Sequence, residues 1–229
     1  MKKHIPNALT GLNLLCGTFG VVYVVEKSTL GLDFNKAAYF VWIACVFDFL
    51  DGFAARALKV SSPIGKELDS LADLISFGLL PSLFVYAHLK LQVDHFYWPF
   101  LAFVMVFFSA YRLAIFNIDQ SQSDSFKGLP TPGNALFITG LPFLFPFLSE
   151  TLLRPVELSL ITLIFSFLLV SPFRLLALKF KSYSWGENKY RFTFLGFSVL
   201  LLVAFQWAAI SLIIMMYLIF SLGKRKGIQ

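Results

Sequence analysis

Long runs of apolar residues recur along the whole chain and constrain its fold more than any other feature. Of the 229 residues, 58% are hydrophobic and only 14% are charged, and the mean hydropathy is +0.75. Such a chain is too apolar for a soluble domain, whereas apolar runs of about 20 residues span the hydrocarbon core of a bilayer as helices. The sequence therefore predicts an all-α, polytopic membrane protein in which residues 1–229 form a single integral-membrane domain.

Hydropathy predicts about eight transmembrane helices, with six or seven as alternatives. Their predicted bounds are 6–25, 37–57, 63–89, 97–118, 134–149, 156–178, 192–205 and 207–222. The stretch 192–222 is apolar throughout except at Gln206, and as one helix it would be about 45 Å long, which exceeds the thickness of the hydrocarbon core. Its division into two helices makes the number even and places both basic termini on the same side of the membrane.

The basic residues are distributed asymmetrically in this eight-helix arrangement. With both termini in the cytoplasm, 15 of the 19 lysines and arginines lie on the cytoplasmic side, as the positive-inside rule requires. We therefore expect an integral protein of the cytoplasmic membrane. This topology and the attraction of anionic headgroups explain the net charge of +6, so the expected partners are membrane lipids and no nucleic acid is implied.

Four aspartates interrupt the apolar sequence in the segment DFLDGFAARALKVSSPIGKELDSLAD, residues 48–73. A charged carboxylate inside a membrane helix costs about 2.5 kcal/mol or more, so four of them need compensation. At about 100° per residue, Asp48 and Asp51 share one face of the second predicted helix, and Asp69 and Asp73 share one face of the third. Two acidic faces that meet across a helical hairpin form an oxygen-only site, which suits Mg²⁺, Mn²⁺ or Ca²⁺. The predicted topology places this site at the cytoplasmic face.

Small and basic residues accompany these carboxylates. Gly52, Ala55 and Gly65 leave room for a ligand to approach the backbone, and Arg56 can reach a phosphate group. The pattern predicts a phosphate-bearing ligand held by one or two divalent ions. Close helix packing at Gly52 and Ala55 and a membrane anchor at Arg56 are the alternatives.

In residue type and spacing, this segment resembles the motif of the CDP-alcohol phosphotransferases. The matching residues are Asp48, Asp51, Gly52, Ala55, Arg56, Gly65, Asp69 and Asp73. Members of this family are membrane enzymes that displace CMP from a CDP-linked lipid or alcohol with an acceptor hydroxyl. The resemblance implies the fold of this family, a homodimer, and Mg²⁺ or Mn²⁺ as cofactor. It also implies that all four aspartates contribute to the metal site and that Asp73 is the general base.

The same resemblance implies where the nucleotide binds. The turn-side residues of the motif, Gly52, Ala55, Arg56 and Gly65, are the expected contacts of the CDP-lipid. Asn7 and Thr10 would add contacts from the start of the first helix. Helix capping is the alternative role of those two side chains.

Three further stretches resemble the phosphatidylserine synthases of the membrane-integral bacterial and archaeal type, a branch of this family. They are IPNALTGLNLLCGTFG at 5–20, YRLAIFN at 111–117 and FKGLPTPGNA at 126–135. This resemblance implies transfer of the phosphatidyl group of CDP-diacylglycerol to the hydroxyl of L-serine, giving phosphatidylserine and CMP. Arg112 and Lys127 are then candidate partners of the serine carboxylate, and Asn117 and Thr131 could supply hydrogen bonds. Ile115 departs from the pattern, since a basic residue is expected there.

Alternative functions remain open at this stage. A sister enzyme of the family would use glycerol 3-phosphate or an inositol phosphate as acceptor, and an archaetidylserine synthase would use an ether lipid. A transporter or ion channel with an acidic site belongs to a different class. Transporters place such charges near the middle of the membrane, often in paired repeats, whereas this sequence shows no repeat and places its carboxylates near one surface.

Overall fold

The computed structural model describes residues 4–30, 35–60, 62–119, 126–144, 146–147, 154–175 and 185–224, and almost all of them are helical. The α-helices are α1 (His4–Leu30), α2 (Asn35–Ala57), α3 (Pro63–Asp73), α4 (Leu80–Gln92), α5 (Val104–Ile118), α6 (Thr131–Gly140), α7 (Pro155–Leu169), α8 (Trp185–Phe205) and α9 (Ala209–Lys224). Two short strands, β1 (Phe126–Lys127) and β2 (Arg174–Leu175), pair in antiparallel orientation.

Shorter helical segments connect several of these helices. A π-helix (Leu74–Leu79) joins α3 to α4 without a break in the helical path. Three 3₁₀ segments precede α5 (Trp98–Phe103), follow α6 (Leu141–Leu144) and link α8 to α9 (Gln206–Ala208).

Five described segments are long and apolar enough to cross a bilayer. They are His4–Glu26, Asn35–Ala57, Pro63–Gln92, Trp98–Ile118 and Asn188–Ser221, and α7 is a shorter apolar helix. The predicted all-α membrane architecture is therefore confirmed. The number of eight spans stays a prediction, because length and composition alone identify five among the described residues.

The predicted division of the C-terminal apolar stretch coincides with a break in the structure at Gln206. α8 ends at Phe205, Gln206 has a positive φ of 49°, and α9 begins at Ala209. An L-residue in the left-handed region does not continue a right-handed helix. The prediction of two helices instead of one is therefore confirmed.

The predicted helix 156–178 is wrong at its C-terminal end, since α7 ends at Leu169. Pro172 has no N–H, and its ring would clash with the carbonyl of Leu168 in a continued helix. That carbonyl instead accepts hydrogen bonds from the backbone N–H of Leu129 and from the hydroxyl of Ser171, each at 2.9 Å. The chain then enters β2, and residues 176–178 lie outside the described residues.

The predicted helix 134–149 also differs from the structure at both ends. α6 begins earlier, at Thr131, because Pro132 suits the first turn of a helix, where its missing N–H costs nothing. After Gly140 the chain tightens into the 3₁₀ segment that ends at Leu144. Residues 145 and 148–149 of this prediction lie outside the described residues.

α1 packs along α2 and also contacts α3 and the π-helix. The closest approach is at Gly17, where a Cβ atom would lie 2.8 Å from the Cα of Ser76, so only glycine fits. Phe77, Leu80 and Met105 are fully buried in the core of the bundle. This packing brings the start of α1, the end of α2 and the start of α3 together at one end of the bundle.

Candidate active site

A tight turn after α2 brings the aspartates of α2 and α3 face to face. Lys59 adopts a left-handed conformation with φ of 51°, which reverses the chain after Ala57. Ser62 has extended backbone angles, and its hydroxyl accepts a hydrogen bond from the N–H of Gly65 at 2.9 Å. Pro63 occupies the first turn of α3. These features define the N-terminus of α3 and reverse the chain after α2, and α1 contacts both of these helices.

The carboxylates of Asp48, Asp51 and Asp69 converge. One oxygen atom of each lies within 4.8 Å of the corresponding oxygens of the other two. Asp51 is buried, Asp48 and Asp69 are half-buried, and Oδ1 of Asp69 is buried without a hydrogen-bond partner. Among the residues that the structure describes, no lysine or arginine lies within ion-pair distance of these three carboxylates. Three converging carboxylates with an unsatisfied oxygen fit a divalent cation with oxygen ligands.

Asp73 lies one helical turn beyond Asp69, outside this group of three. Its side chain is only 8% exposed, and it interacts electrostatically with Asp48 and Asp69. Its Oδ1 accepts a hydrogen bond from Nδ2 of Asn13 at 3.2 Å. Asp73 therefore lies on the metal face of α3 but deeper in the helix bundle.

Helix α1 contributes two polar side chains to this cluster. The hydroxyl of Thr10 lies 2.6 Å from Oδ2 of Asp51, and the amide of Asn13 contacts Asp73. Asn13 was not among the sequence-predicted site residues. A polar amide within the apolar sequence of the first predicted helix, three residues after Thr10, is the sequence signal that would have identified it.

An open cavity of about 320 Å³ lies between the start of α1, the end of α2 and the start of α3. The predicted nucleotide contacts that line it are Asn7, Thr10, Gly52, Ala55 and Gly65. Asp51 and Asp69 line the same cavity, so it is continuous with the carboxylate cluster. At Gly65 a Cβ atom would lie 2.9 Å from Oδ1 of Asn7. Glycine therefore allows α1 and α3 to approach each other at this cavity.

Of two basic side chains in this region, Lys66 lines the cavity, whereas Arg56, a predicted nucleotide contact, is not among the lining residues. Arg56 is exposed, and its guanidinium lies over Gly52, where a Cβ atom would be 3.5 Å from Nη1. Lys66 lines the cavity and donates a hydrogen bond from Nζ to the carbonyl oxygen of Asn117 at 2.6 Å. Lys66 was missed by the sequence reasoning, although it directly follows Gly65.

Two of the predicted serine contacts, Arg112 and Thr131, lie together in the structure. Nη1 of Arg112 donates to Oγ1 of Thr131 at 3.3 Å, and its guanidinium lies 5.8 Å from the centre of the Phe116 ring. Arg112 is 9% exposed, and its Nε is buried without a partner. The guanidinium therefore retains a donor that can bind an anionic group.

The other two predicted serine contacts lie in different surroundings. Nδ2 of Asn117 donates to Oγ of Ser70 at 2.9 Å, which links α5 to α3. Lys127 is exposed and forms an ion pair with Asp119 at 3.2 Å. Lys127 and Arg112 line a second cavity of about 240 Å³, and Ile115, where a basic residue was expected, lines it as well.

Comparison with known proteins identifies the class of protein to which this fold and site belong. A family model described as CDP-alcohol phosphatidyltransferase matches residues 3–222. The chain therefore belongs to the CDP-alcohol phosphatidyltransferase family, a family of transferases, as the aspartate motif predicts.

Several relatives within this family carry a more specific name. A CDP-diacylglycerol–serine O-phosphatidyltransferase of Bacillus subtilis is 32% identical over 172 residues, which cover 75% of this chain and 89% of the relative. A protein of the same name from Helicobacter pylori is 35% identical over 135 residues, covering 58% of this chain and 54% of the relative. An archaetidylserine synthase of Methanothermobacter thermautotrophicus is 32% identical over 150 residues, covering 64% of this chain and 60% of the relative.

Proposed function

We propose that this protein transfers the phosphatidyl group of CDP-diacylglycerol to the hydroxyl of L-serine, giving phosphatidylserine and CMP. The observation that carries the proposal is the convergence of Asp48, Asp51 and Asp69 beside a cavity that the nucleotide-motif residues line. Serine as the acceptor is supported by the names of the relatives, above all the Bacillus protein, of which 89% is covered. We propose a diacyl lipid as the substrate, and not an archaeal ether lipid, because the names of several relatives contain CDP-diacylglycerol.

The carboxylate cluster is the proposed metal site. Asp48, Asp51 and Asp69 would hold one or two Mg²⁺ or Mn²⁺ ions, with Asp73 within reach as a further ligand. Bound ions supply positive charge to the pyrophosphate and to the departing CMP. The cytidine nucleotide occupies the cavity of about 320 Å³, and Arg56 and Lys66 offer further positive charge to its phosphates.

Asp73 is the proposed general base. The oxygen of the acceptor hydroxyl forms a bond to the lipid-linked phosphorus while the bond from that phosphorus to the CMP oxygen breaks, and CMP leaves with the electron pair. The hydroxyl proton passes to the carboxylate of Asp73 and from there to water. An aspartate is a weak base for an alcohol, so close positioning of the two substrates must supply much of the rate.

Arg112 and Thr131 are the best-supported contacts for serine. They lie together, and the unpartnered Nε of Arg112 can donate to the serine carboxylate. Lys127 would attract the same carboxylate from the second cavity. Asn117 contributes by linking α3 to α5 through Ser70 and Lys66.

The enzyme works as a single catalytic domain in the cytoplasmic membrane, with the site on the cytoplasmic face and with membrane lipids around it. This location is supported by the excess of basic residues on that side in the predicted topology. A homodimer is proposed from the family alone. Water-soluble serine and CMP would exchange with the cytoplasm, while the lipid substrate and product remain in the bilayer.

The proposal is tested with the purified protein in mixed micelles that contain CDP-diacylglycerol and Mg²⁺. CMP release is measured with L-serine, glycerol 3-phosphate or an inositol phosphate as acceptor, and in parallel with a CDP-linked ether lipid. We expect release with L-serine to exceed release with the other acceptors by at least about tenfold. Preference for a phosphorylated acceptor indicates a sister enzyme, and preference for the ether lipid indicates an archaetidylserine synthase. Absence of CMP release with every acceptor contradicts the proposed activity.

A further inference from the structure

Helix α1 holds two of the four aspartates through side chains that lie one helical turn apart. Thr10 contacts Asp51 at 2.6 Å, and Asn13 contacts Asp73 at 3.2 Å. The first contact faces the nucleotide cavity, which Thr10 lines. The second contact lies deeper in the helix bundle, at Asp73, the proposed general base. Asn13 has no role in the mechanism proposed above.

The amide of Asn13 is completely buried, with 0% of the residue exposed. Its Nδ2 donates to Oδ1 of Asp73, while its own Oδ1 is buried and has no hydrogen-bond partner. Rotation of the amide by half a turn would place an oxygen opposite the carboxylate and bring two acceptors together. The orientation of this amide is therefore dictated by Asp73.

The backbone on both sides of this contact is held in place. The hydroxyl of Ser76 donates to the carbonyl oxygen of Asn13 at 3.0 Å, and Gly17 allows α1 to lie against Ser76 at the π-helix. π-Helical segments of this kind occur frequently at functional sites. Asn13 and Asp73 thus face each other across a close helix contact that leaves little freedom to either side chain.

We propose that Asn13 is a positioning residue for Asp73. Its N–H engages Oδ1 of the carboxylate and fixes the rotation of the group, so that Oδ2 is the oxygen presented to the acceptor hydroxyl. This inference rests on the proposed function, in which Asp73 takes the hydroxyl proton. Asn13 does not touch the reacting atoms, and its effect on the reaction passes entirely through Asp73.

The test is a double-mutant cycle on the full-length protein in CDP-diacylglycerol micelles. Asn13→Leu keeps a similar volume without the donor, and Asn13→Asp keeps the shape but replaces the donor with an oxygen. We expect either single substitution to lower kcat by about 10- to 100-fold while the KM for CDP-diacylglycerol changes by less than about threefold. In the Asp73→Asn background, adding Asn13→Leu should lower kcat by less than about a further threefold. The effects of two substitutions that act through the same group are not additive.

Ser82→Ala is the matched control, since it removes another buried hydrogen bond near the π-helix, from the Ser82 hydroxyl to the Gly78 carbonyl. Its kcat should stay within about threefold of the parent protein. Three results would overturn the inference. They are an equal fall in kcat from Asn13→Leu in the parent protein and in the Asp73→Asn background, an effect on KM alone, and full activity of both Asn13 variants. If Asp73→Asn itself retains full turnover, the proposed role of Asp73 fails instead, so the two failures are distinguishable.

Discussion

The hydroxyl oxygen of Thr10 lies 2.6 Å from Oδ2 of Asp51 and 3.0 Å from the carbonyl oxygen of Pro6. One hydroxyl proton cannot be donated to both acceptors, and the shorter contact to a carboxylate is the stronger of the two. The contact joins residues 41 positions apart in the chain. It orients one of the proposed metal ligands from a different helix, although sequence reasoning had assigned Thr10 to the nucleotide or to helix capping.

Thr10→Val should therefore weaken the response to divalent metal. The substitution keeps the shape of the side chain and removes the donor to Asp51, a bond of about 1.5–3 kcal/mol when the acceptor is charged. We expect the Mg²⁺ concentration for half-maximal CMP release to rise by about tenfold, which corresponds to about 1.4 kcal/mol. Thr18→Val is the control, because that hydroxyl is exposed on the same helix and bonds only its own helix backbone. An unchanged Mg²⁺ response in Thr10→Val would contradict the proposed role.

Asp69→Asn should remove a metal ligand. Substitution of residues that only hydrogen-bond to metal ligands already lowers metal affinity or activity by about 10- to 100-fold. Loss of a direct ligand should therefore lower turnover by about 100-fold or more. CMP release during a Mg²⁺ titration and direct Mn²⁺ binding both measure the effect. Glu67→Gln, an exposed acid in the same helix, serves as the control. Full activity of Asp69→Asn with unchanged metal dependence would exclude Asp69 as a ligand.

Asp73→Asn should separate catalysis from binding. Loss of a general base costs about 10²- to 10⁴-fold in rate, while binding of CDP-diacylglycerol rests on the other three carboxylates and the nucleotide cavity. We expect the affinity for CDP-diacylglycerol to stay within about tenfold, or about 1.4 kcal/mol. Turnover assays and equilibrium binding on the same preparation measure both quantities. A parallel fall in binding and turnover would mean that Asp73 is chiefly a ligand.

Gly65→Ala should impair binding of the nucleotide. The added Cβ would lie 2.9 Å from Oδ1 of Asn7 and from Oγ of Ser62, so these two side chains, which border the cavity, must shift. We expect the KM for CDP-diacylglycerol to rise by about tenfold, in line with an overpacking cost of about 1–3 kcal/mol. Gly11→Ala is the control, since a Cβ there meets no atom within 4 Å. Equal KM values for the two variants would show that the close approach at Gly65 does not matter for binding.

Both termini should face the cytoplasm. This topology places 15 of the 19 basic residues inside, and the break at Gln206 allows the chain to turn back between α8 and α9. Reporter fusions at residue 1 and at residue 229, together with protease accessibility of each end in oriented vesicles, measure the orientation. A C-terminus on the outer side would mean that α8 and α9 together cross the membrane once.

The membrane architecture and the carboxylate cluster could be predicted from local sequence because both depend on periodic patterns within single helices. Apolar runs define membrane helices, and the spacing of Asp48 and Asp51, like that of Asp69 and Asp73, places each pair on one face of its helix. Ser62 and Pro63 likewise mark the start of α3 by local chemistry. The break at Gln206 followed from length together with charge, since the stretch exceeds what a single span needs and two helices place both basic termini on one side of the membrane.

Only the tertiary structure decided which side chains from distant helices meet these carboxylates. Thr10 contacts Asp51, Asn13 contacts Asp73, and Arg112 contacts Thr131, and each contact depends on the rotation and depth of one helix relative to another. Hydropathy does not predict that rotation, because lipid tails are about as apolar as the helix surface and no hydrophobic preference selects the face that meets a neighbouring helix. The relative positions of the helices follow instead from close packing at small residues such as Gly17. The end of α7 is marked locally by Pro172, which sequence reasoning overlooked. Only the partner of the freed Leu168 carbonyl, the N–H of Leu129 in another segment, is defined once the chain has folded.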